Sequence, residues 1–473
     1  MIRYRTLRRL LASLLLASSL MGAAPAAFAA NAEQTEDVKK LLEQYHLSKP
    51  SDDSLNEGAI QGMVQSLGDP YTEYFSDDQW KQFQNYLEQT YVGVGIVSVR
   101  DEGRLYVQDV VPNGPAAKAG ILPGDAIASV DGQDVRTATL DKLNGLISGK
   151  EGTTVRIVVV RGGKTHAFAL TRHSVQLPAA SSRLLRGGVG YLSLTAFRSD
   201  AADKFKAELD KLDAKGIRSL IVDLRDNGGG YVEQARLIAE NFVSDGVLAH
   251  MTDRDGKDNP IELRGTTKPY PVYLLVNGNT ASASELLSGA LQDYGVAKLI
   301  GAPTYGKGVV QQIVEVPSGG VLKVTIEEYY TPSGHKVDHK GLMPDYPVEG
   351  EAMQLLAAIR QAGGKPAAMT AGKGSVVIDG IRTASASSFV VRNGVPFVDL
   401  KLAAAFAGGS VRYEAATKTI AVDVGGRTNR IPASDAGLYV RNGVSAVDVR
   451  LLAKWTPGLT WSTSDGLLRL NAA

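Results

Sequence analysis

The 473-residue sequence contains no cysteine and only six histidines. Because disulfides, nucleophilic thiolates and cysteine-ligated metals all require cysteine, the sequence excludes each of them. The histidines form no H-E-x-x-H pair, the common zinc-binding pattern. We therefore expect neither a metal site nor a cofactor.

An excess of charge of either sign is also missing. Lysine and arginine number 51 against 50 aspartate and glutamate residues, a formal net charge of +1. Nucleic-acid-binding domains usually carry a concentrated positive charge, so this balance gives no support for a nucleic-acid partner.

Long apolar segments are scarce as well. An apolar stretch at residues 10–20 follows four arginines, but it is only about half of the ~20 residues that span a bilayer. The small residues Ala27 and Ala29 come next, and the pattern is typical of a cleaved signal peptide over residues 1–30. An uncleaved anchor is the alternative. We therefore expect a secreted or extracytoplasmic protein, with association to the cell envelope left open.

The N-terminal and C-terminal parts of the mature chain differ in pattern. Residues 31–90 have apolar residues at helical spacing and predict a helical module, whose stripes could pack internally or form a homodimer. Residues 361–374 are small and aperiodic and predict a linker. Residues 375–473 contain an internal repeat, in which Val391-Arg-Asn-Gly recurs as Val440-Arg-Asn-Gly. Each copy predicts two strands around an Asn-Gly turn, a short helix and another strand. This part resembles the stalk, or amine-oxidase N-terminal-like, domain.

Residues 91–174 consist of short predicted strands and Gly-Pro turns. Their succession resembles a PDZ domain, with Gly114-Pro-Ala-Ala-Lys-Ala-Gly120 opening a short helix. The resemblance implies a loop that binds a peptide carboxylate, since successive glycines let backbone N–H groups turn inward. That loop comprises Tyr91, Val92, Gly93, Val94, Gly95 and Ile96. A β-hairpin with a Gly-rich turn is the alternative.

Residues 175–360 alternate between predicted strands and helices. The apolar runs at residues 220–224 and Val272–Val276 are typical of strands buried on both faces, and helices are predicted after each. This alternation predicts a layered β/α domain.

Three segments of this domain carry candidate chemistry. Asp223-Leu-Arg-Asp-Asn-Gly-Gly-Gly230 ends a strand, and its glycines could expose N–H groups to negative charge; a plain turn is the alternative. Asn277-Gly-Asn-Thr-Ala-Ser-Ala-Ser-Glu285 enters a helix, where serine could also be an N-cap. Gly301-Ala-Pro-Thr-Tyr-Gly-Lys-Gly308 nearly matches a phosphate-binding loop. However, Gly308 replaces the hydroxyl residue that holds Mg²⁺, and a strand is predicted over residues 309–316, so we do not expect an NTPase.

Together these segments resemble the carboxy-terminal processing, or tail-specific, proteases. The match runs from about residue 66 to 348 and includes Thr331-Pro-Ser-Gly334 and Gly341-Leu-Met-Pro-Asp345. The resemblance implies a multidomain α+β protein with a ClpP/crotonase-like α/β core. Its implied site residues are Ser282 as nucleophile, Lys307 as general base, Gln311 as the residue that holds the lysine, and the N–H groups of Gly229 and Ala283 as the oxyanion hole. Ser284 is the rival nucleophile.

A lysine base requires that its pKa fall from the ordinary ~10.4, and burial among Leu274, Val276, Val309 and Val310 would have that effect. The resulting hypothesis is a secreted serine endopeptidase that binds unstructured C-terminal tails of proteins or peptides through its PDZ domain and cleaves them through an acyl-enzyme. By resemblance, the PDZ domain gates the site. The alternatives are a catalytically silent tail-binding scaffold and, by fold analogy alone, acyl-CoA chemistry.

Overall fold

The computed structural model describes residues 32–101, 103–372, 375–384, 389–441, 443–464 and 467–472. They form two compact units: residues up to 76 with 313–324, and residues 77–312 with 325–473. The predicted signal peptide lies outside the described residues. Within the described ranges, every helix is too short or too polar to span a bilayer.

The described residues of the first unit include α1 (Ala32–Tyr45), α2 (Asp52–Gln65) and β1 (Glu73–Phe75). β1 pairs with residues 321–323, and Glu73 forms an ion pair with Lys323. No residue of α1 or α2 is buried, and the predicted apolar stripe that includes Val38 and Leu41 is exposed. Among the described residues, this stripe is therefore not packed internally.

The second unit begins with α3 (Asp77–Leu87), which the sequence had assigned to the helical module, and continues into the PDZ domain. The domain's elements are β2 (Thr90–Gly93), β3 (Ile96–Asp101), β4 (Arg104–Val110), α4 (Pro115–Ala119), β5 (Ala126–Val130), β6 (Gln133–Asp134), α5 (Leu140–Ile147), β7 (Thr154–Arg161), β8 (Lys164–Thr171) and β9 (His173–Gln176). The sheet order is β3-β4-β5-β7-β8, with β6 beside β5, so β3 lies at an edge. β2 pairs separately with β9.

The core follows as β10 (Ala180–Leu185), β11 (Val189–Leu194), α6 (Ala201–Asp213), β12 (Ser219–Asp223), α7 (Val232–Ala239), β13 (Asp245–Asp253), β14 (Ile261–Arg264), β15 (Val272–Val276), α8 (Ala283–Asp293), β16 (Ala297–Gly301), β17 (Val309–Glu315), β18 (Val321–Tyr330), β19 (Tyr346–Pro347) and α9 (Glu351–Gln361). The central sheet has the order β10-β11-β12-β15-β16-β19 and is parallel from β11 onward. Leu220 and Val222 pack with α6, α7 and α8, whereas Ile221 faces α9. Both faces are covered, as the continuous apolar runs predicted.

The C-terminal module contains β20 (Ala368–Ala371), β21 (Ser375–Ile378), β22 (Ile381–Ala384), β23 (Phe389–Arg392), β24 (Val395–Asp399), α10 (Leu400–Phe406), β25 (Ser410–Glu414), β26 (Thr419–Val424), β27 (Arg427–Pro432), β28 (Leu438–Arg441), β29 (Val444–Asp448), α11 (Val449–Trp455), β30 (Thr460–Ser464) and β31 (Leu467–Asn471). The predicted order of elements in each repeat is confirmed. β24 pairs with β29, and Val398 lies opposite Val447, its equivalent in the other repeat. The two repeats are therefore related by a pseudo-twofold axis at this pair.

The predicted linker at residues 361–374 is partly a strand, so this prediction was wrong there. β20 pairs with both β21 and β31, beside the hairpin of the second repeat. In the first repeat, β27 takes the corresponding place beside β26. A four-residue segment has too little periodicity to reveal itself, and its partner strand lies about a hundred residues away.

Candidate active site

Ser282 lies at the point where the chain leaves the loop after β15 and enters α8. Its φ of 58° and ψ of −118° are rare for a residue with a side chain. Such a conformation costs on the order of 1–3 kcal/mol and persists only where surrounding contacts hold it. Ser282 is partly exposed, while Ala281 and Ala283 on either side are buried. The backbone conformation therefore leaves Ser282 accessible between two buried neighbours.

Glu285, one turn into α8, connects the serine segment (residues 277–285) to the lysine segment (residues 301–308). It is fully buried, and its carboxylate accepts four hydrogen bonds. Oε2 accepts the N–H groups of Ser282 and Lys307, each at 2.9 Å. Oε1 accepts the Thr304 hydroxyl at 2.5 Å and the Gly306 N–H at 2.7 Å. Since one oxygen binds both backbone nitrogens, Ser282 and Lys307 lie next to each other in space although 25 positions separate them in the sequence.

The residue after the lysine shows why this loop differs from a phosphate-binding loop. A Cβ on Gly308 would lie 2.2 Å from the backbone nitrogen of Asp338, so no larger residue fits. The predicted strand after it is β17. Both features exclude the serine or threonine and the helix that a phosphate-binding loop requires.

The glycine segment (residues 223–230) lies against Ser282. Gly229 has a φ of 99°, and a Cβ there would be 2.9 Å from both Ser282 Cβ and Ala283 N. The structure thus brings together three predicted residues, Gly229, Ser282 and Ala283. In this conformation the Gly229 N–H donates to Asn227 Oδ1 at 3.0 Å. A reacting oxygen would have to share or replace that acceptor.

Asn227 joins the glycine segment to the serine segment. Its side chain is fully buried and donates to Leu194 O at 2.9 Å. Its carbonyl accepts the Ala281 N–H at 3.1 Å and the Ser284 hydroxyl at 2.9 Å. Ser284, the rival nucleophile, is fully buried and already donates to this carbonyl. The Ser284 hydroxyl is thus engaged in a hydrogen bond within the fold.

Gln311 lies on β17 and is partly buried. Its side-chain amide donates to the Thr325 hydroxyl at 3.2 Å. The predicted role of Gln311 in holding Lys307 stays a prediction. The apolar side chains of Leu274 and Val276 are buried, whereas Val309 and Val310 are half-buried.

A cavity of about 360 Å³ opens beside the glycine segment. Gly228, Gly229 and Gly230 line it together with Tyr86 and Tyr91. Burial raises the pKa of Tyr91.

Comparisons with known proteins identify the family of the chain. The family model for peptidase family S41 matches residues 188–348, the PDZ model residues 90–171, and the model for the activating protease CtpB N-terminal domain residues 19–79. A CtpA-like serine protease of Staphylococcus aureus is 33% identical over 335 residues, 70% of this chain and 67% of the relative. That of Staphylococcus epidermidis is 34% identical over 336 residues, with 70% and 68% covered.

The chain belongs to peptidase family S41. The prediction of a serine peptidase with a PDZ domain is confirmed at this level. Among solved structures, the photosystem II D1 C-terminal processing protease is similar, with 28% identity, 66% of this chain and 86% of that chain covered, and a TM-score of 0.44.

The predicted carboxylate-binding loop of this S41 peptidase falls into three parts. Tyr91, Val92 and Gly93 belong to β2, Val94 and Gly95 form the turn, and Ile96 begins β3. Val94 is fully buried, and Gly95 has a φ of 77°. The turn thus lies at the start of the open edge strand β3, where a peptide strand could pair.

Sequence reasoning missed Glu285 and Asn227, although both lay within the segments it selected. The spacing Ser282-x-x-Glu285 is the signature of a capping box and could have indicated that Glu285 binds the Ser282 N–H. For Asn227 there was no comparable signal, because its partners outside its own segment, Leu194 on one side and Ala281 and Ser284 on the other, are distant in the sequence. Across the described part of the peptidase, no cluster of three or more histidine and acidic residues could hold a metal ion.

Proposed function

We propose that this S41 peptidase is an exported endopeptidase that cleaves proteins with unstructured C-terminal tails by a Ser282–Lys307 dyad. The observation that carries the proposal is the shared acceptor: Glu285 Oε2 binds the backbone N–H of both residues at 2.9 Å. This contact holds the two chain segments together at a strained, partly exposed serine.

The chemistry follows from these positions. The mechanism requires a neutral Lys307, which takes the Ser282 hydroxyl proton while Oγ attacks the peptide carbonyl. The N–H groups of Ala283 and Gly229 stabilise the tetrahedral oxyanion. The lysine then gives its proton to the leaving amine. In the second half of the reaction, the neutral lysine takes a proton from water as the water oxygen attacks the acyl-enzyme, and the proton returns to Ser282 Oγ.

Two hydrogen bonds favour a resting state that becomes active when a tail binds. The Gly229 N–H donates to Asn227, and the Gln311 amide donates to Thr325. Each group would have to exchange its partner to serve the oxyanion or the lysine. Gln89, between α3 and β2, connects the start of the PDZ domain to this region: its side-chain amide accepts the Thr195 hydroxyl at 3.0 Å and donates to the Thr195 carbonyl at 3.3 Å. A movement of the PDZ domain could therefore displace the glycine segment.

Tail recognition would use the open edge of β3. Antiparallel pairing with an extended tail satisfies that edge, and the turn at Val94 and Gly95 would bind the terminal carboxylate. Leu140 and Leu146 of α5 are half-buried beside the domain core and could contact apolar tail residues. A substrate with an amidated C-terminus should be cleaved more slowly than the same substrate with a free carboxylate.

The exposed stripe on α1 and α2 supports the homodimer that the sequence left open. Apolar residues at helical spacing that stay exposed within the described part of the chain are suited to packing against a second copy. Size-exclusion chromatography with light scattering should give a dimer. Replacing Val38 and Leu41 with lysine should give a monomer, and a wild-type monomer would contradict this part of the proposal.

The decisive experiment is casein cleavage by the wild type, Ser282→Ala and Lys307→Ala. Both variants should lose activity by about 10⁴-fold or more, because they remove the nucleophile and its base. Ser288→Ala is the matched control on the same helix, since the Ser288 hydroxyl is buried and has no hydrogen-bond partner within the described residues. It should cleave like the wild type. Intact casein with the wild type would favour a silent scaffold, and equal cleavage by Lys307→Ala would remove the dyad.

A further inference from the structure

The C-terminal module is packed onto the catalytic core and is not suspended from it. α9 lies between the central sheet and the module, and Leu355, Leu356 and Ile359 of α9 belong to one continuous buried cluster. That cluster includes Ile221 and Leu275 of the central sheet on one side and residues of the module on the other, such as Val376, Val398 and Leu470. Because the apolar core is shared, the module and the sheet form one packed body.

A chain of polar contacts runs from the module to the start of the glycine segment. The N–H of Ala384, at the end of β22, donates to Glu351 Oε2 at 2.7 Å. The carbonyl of Glu351, the first residue of α9, accepts Arg225 Nη1 at 2.7 Å. Arg225 also donates to both carboxylate oxygens of Asp223, at 2.8 and 2.5 Å.

Arg225 and Asp223 hold the end of β12, from which the glycine segment departs. Their side chains are almost fully buried, so loss of one partner would leave an uncompensated charge. Tyr191 donates its hydroxyl to Asp223 at 2.8 Å from the neighbouring strand. Burial alone would lower the pKa of Arg225, but the charge of Asp223 raises it overall, so the guanidinium stays charged.

We propose that Glu351 is a positioning residue through which the C-terminal module holds Arg225 and thereby sets the position of Gly228–Gly230. The module is then a working part of the catalytic core, in contrast to the stalk that its sequence resembles. This inference rests on the proposed function, because it assigns the oxyanion hole to this glycine segment.

The test compares two variants that break the contact between α9 and the module at opposite ends of the helix. Glu351→Ala removes the acceptor of the Ala384 N–H. Arg360→Ala is the matched control, because Arg360, near the other end of α9, donates to Ala405 O and Gly409 O of the module at 3.2 and 3.4 Å. We expect Glu351→Ala to lower kcat about tenfold with KM within about twofold, since a displaced oxyanion donor acts mainly in the transition state. Arg360→Ala should keep kcat.

Conservative variants keep the inference testable if Glu351→Ala does not fold. Glu351→Gln retains an oxygen acceptor and should keep kcat within about threefold of the wild type. Glu351→Asp keeps the charge but is one methylene shorter, and it should lose kcat as the alanine variant does. The rate at which a small phosphonylating reagent modifies Ser282, followed by intact-protein mass spectrometry, gives a second readout. This rate should be lower in Glu351→Ala and Glu351→Asp than in Glu351→Gln and the wild type.

The outcomes separate the two proposals. Absence of Ser282-dependent cleavage by the wild type would overturn the proposed function. Cleavage by the wild type, with equal kcat for Glu351→Ala and Arg360→Ala at a temperature where both are folded, would overturn only the role of Glu351. A change confined to KM would do the same.

Discussion

Two buried side chains organise the active site in different ways. Glu285 joins the serine and lysine segments with one carboxylate that accepts four hydrogen bonds, whereas Asn227 joins the glycine and serine segments with its amide and its carbonyl together. Glu285 can only accept, so the donors around it all depend on one side chain. Asn227 distributes its contacts, and its backbone contacts survive the loss of the side chain. The serine–lysine junction should therefore be the more fragile of the two.

Glu285→Ala should give the largest effect, because it leaves the Ser282, Gly306 and Lys307 N–H groups without their acceptor. We expect the free energy of unfolding to fall by at least about 4 kcal/mol, with complete loss of cleavage. Urea denaturation followed by circular dichroism measures the first. Even Glu285→Gln should be destabilised, since each carboxylate oxygen binds a backbone N–H that an amide nitrogen cannot accept. A fully stable glutamine variant would disprove the account of this junction.

Gly229→Ala should give the second-largest loss of stability and activity, and Gly228→Ala is the neighbouring control. A Cβ at Gly229 would approach Ala281 O to 2.8 Å at a φ that favours glycine, whereas nothing lies within 4 Å of a Cβ at Gly228. We expect Gly229→Ala to lose roughly 2–4 kcal/mol of stability and all activity. Gly228→Ala should unfold like the wild type. Equal stabilities of the two variants would show that Gly229 is not pressed against Ser282.

Asn227→Ala should have a smaller effect on stability than either change. It removes the partners of the Gly229 N–H and Leu194 O but keeps the carbonyl that binds Ala281 and Ser284. We expect a loss of about 1–3 kcal/mol. If the wild type rests with the Gly229 N–H bound to Asn227, this variant should need less tail binding for activity, so its cleavage of amidated and free-tail substrates should differ less. A loss of stability larger than that of Glu285→Ala would reverse the comparison.

The smallest expected effect is the pH dependence that Glu351 contributes. Burial raises the pKa of its carboxyl group above the unfolded value of ~4.3. Below the unfolded pKa the group is neutral in both states and has no effect. As the pH rises through the folded pKa, the buried charge costs stability. Relative to Glu351→Gln, the wild type should therefore become less stable with rising pH across that window, measured by thermal unfolding. A parallel pair of curves would contradict the raised pKa.

The parts of the fold that could be predicted from the sequence are those with a local pattern. The apolar run Val272–Val276 is β15 residue for residue, and the helix predicted after it is α8. The repeat beginning at Val391 and Val440 also appears as predicted, including left-handed φ values at Asn393 and Gly394 of the first turn. By contrast, β20 was missed because its strand identity comes from pairing with β31, at the other end of the module.

Within the site, glycine runs and small residues at strand ends are visible without coordinates, so the sequence alone selected the three candidate segments. It left Ser282 and Ser284 as rivals, and it did not reveal Glu285 or Asn227 as junctions. The tertiary structure adds both junctions, and it buries Ser284 against Asn227 while Ser282 stays accessible, which favours Ser282 as the nucleophile. The physical reason is that a buried acceptor is chosen by whichever donors the fold brings to it, and those donors come from residues distant in the chain.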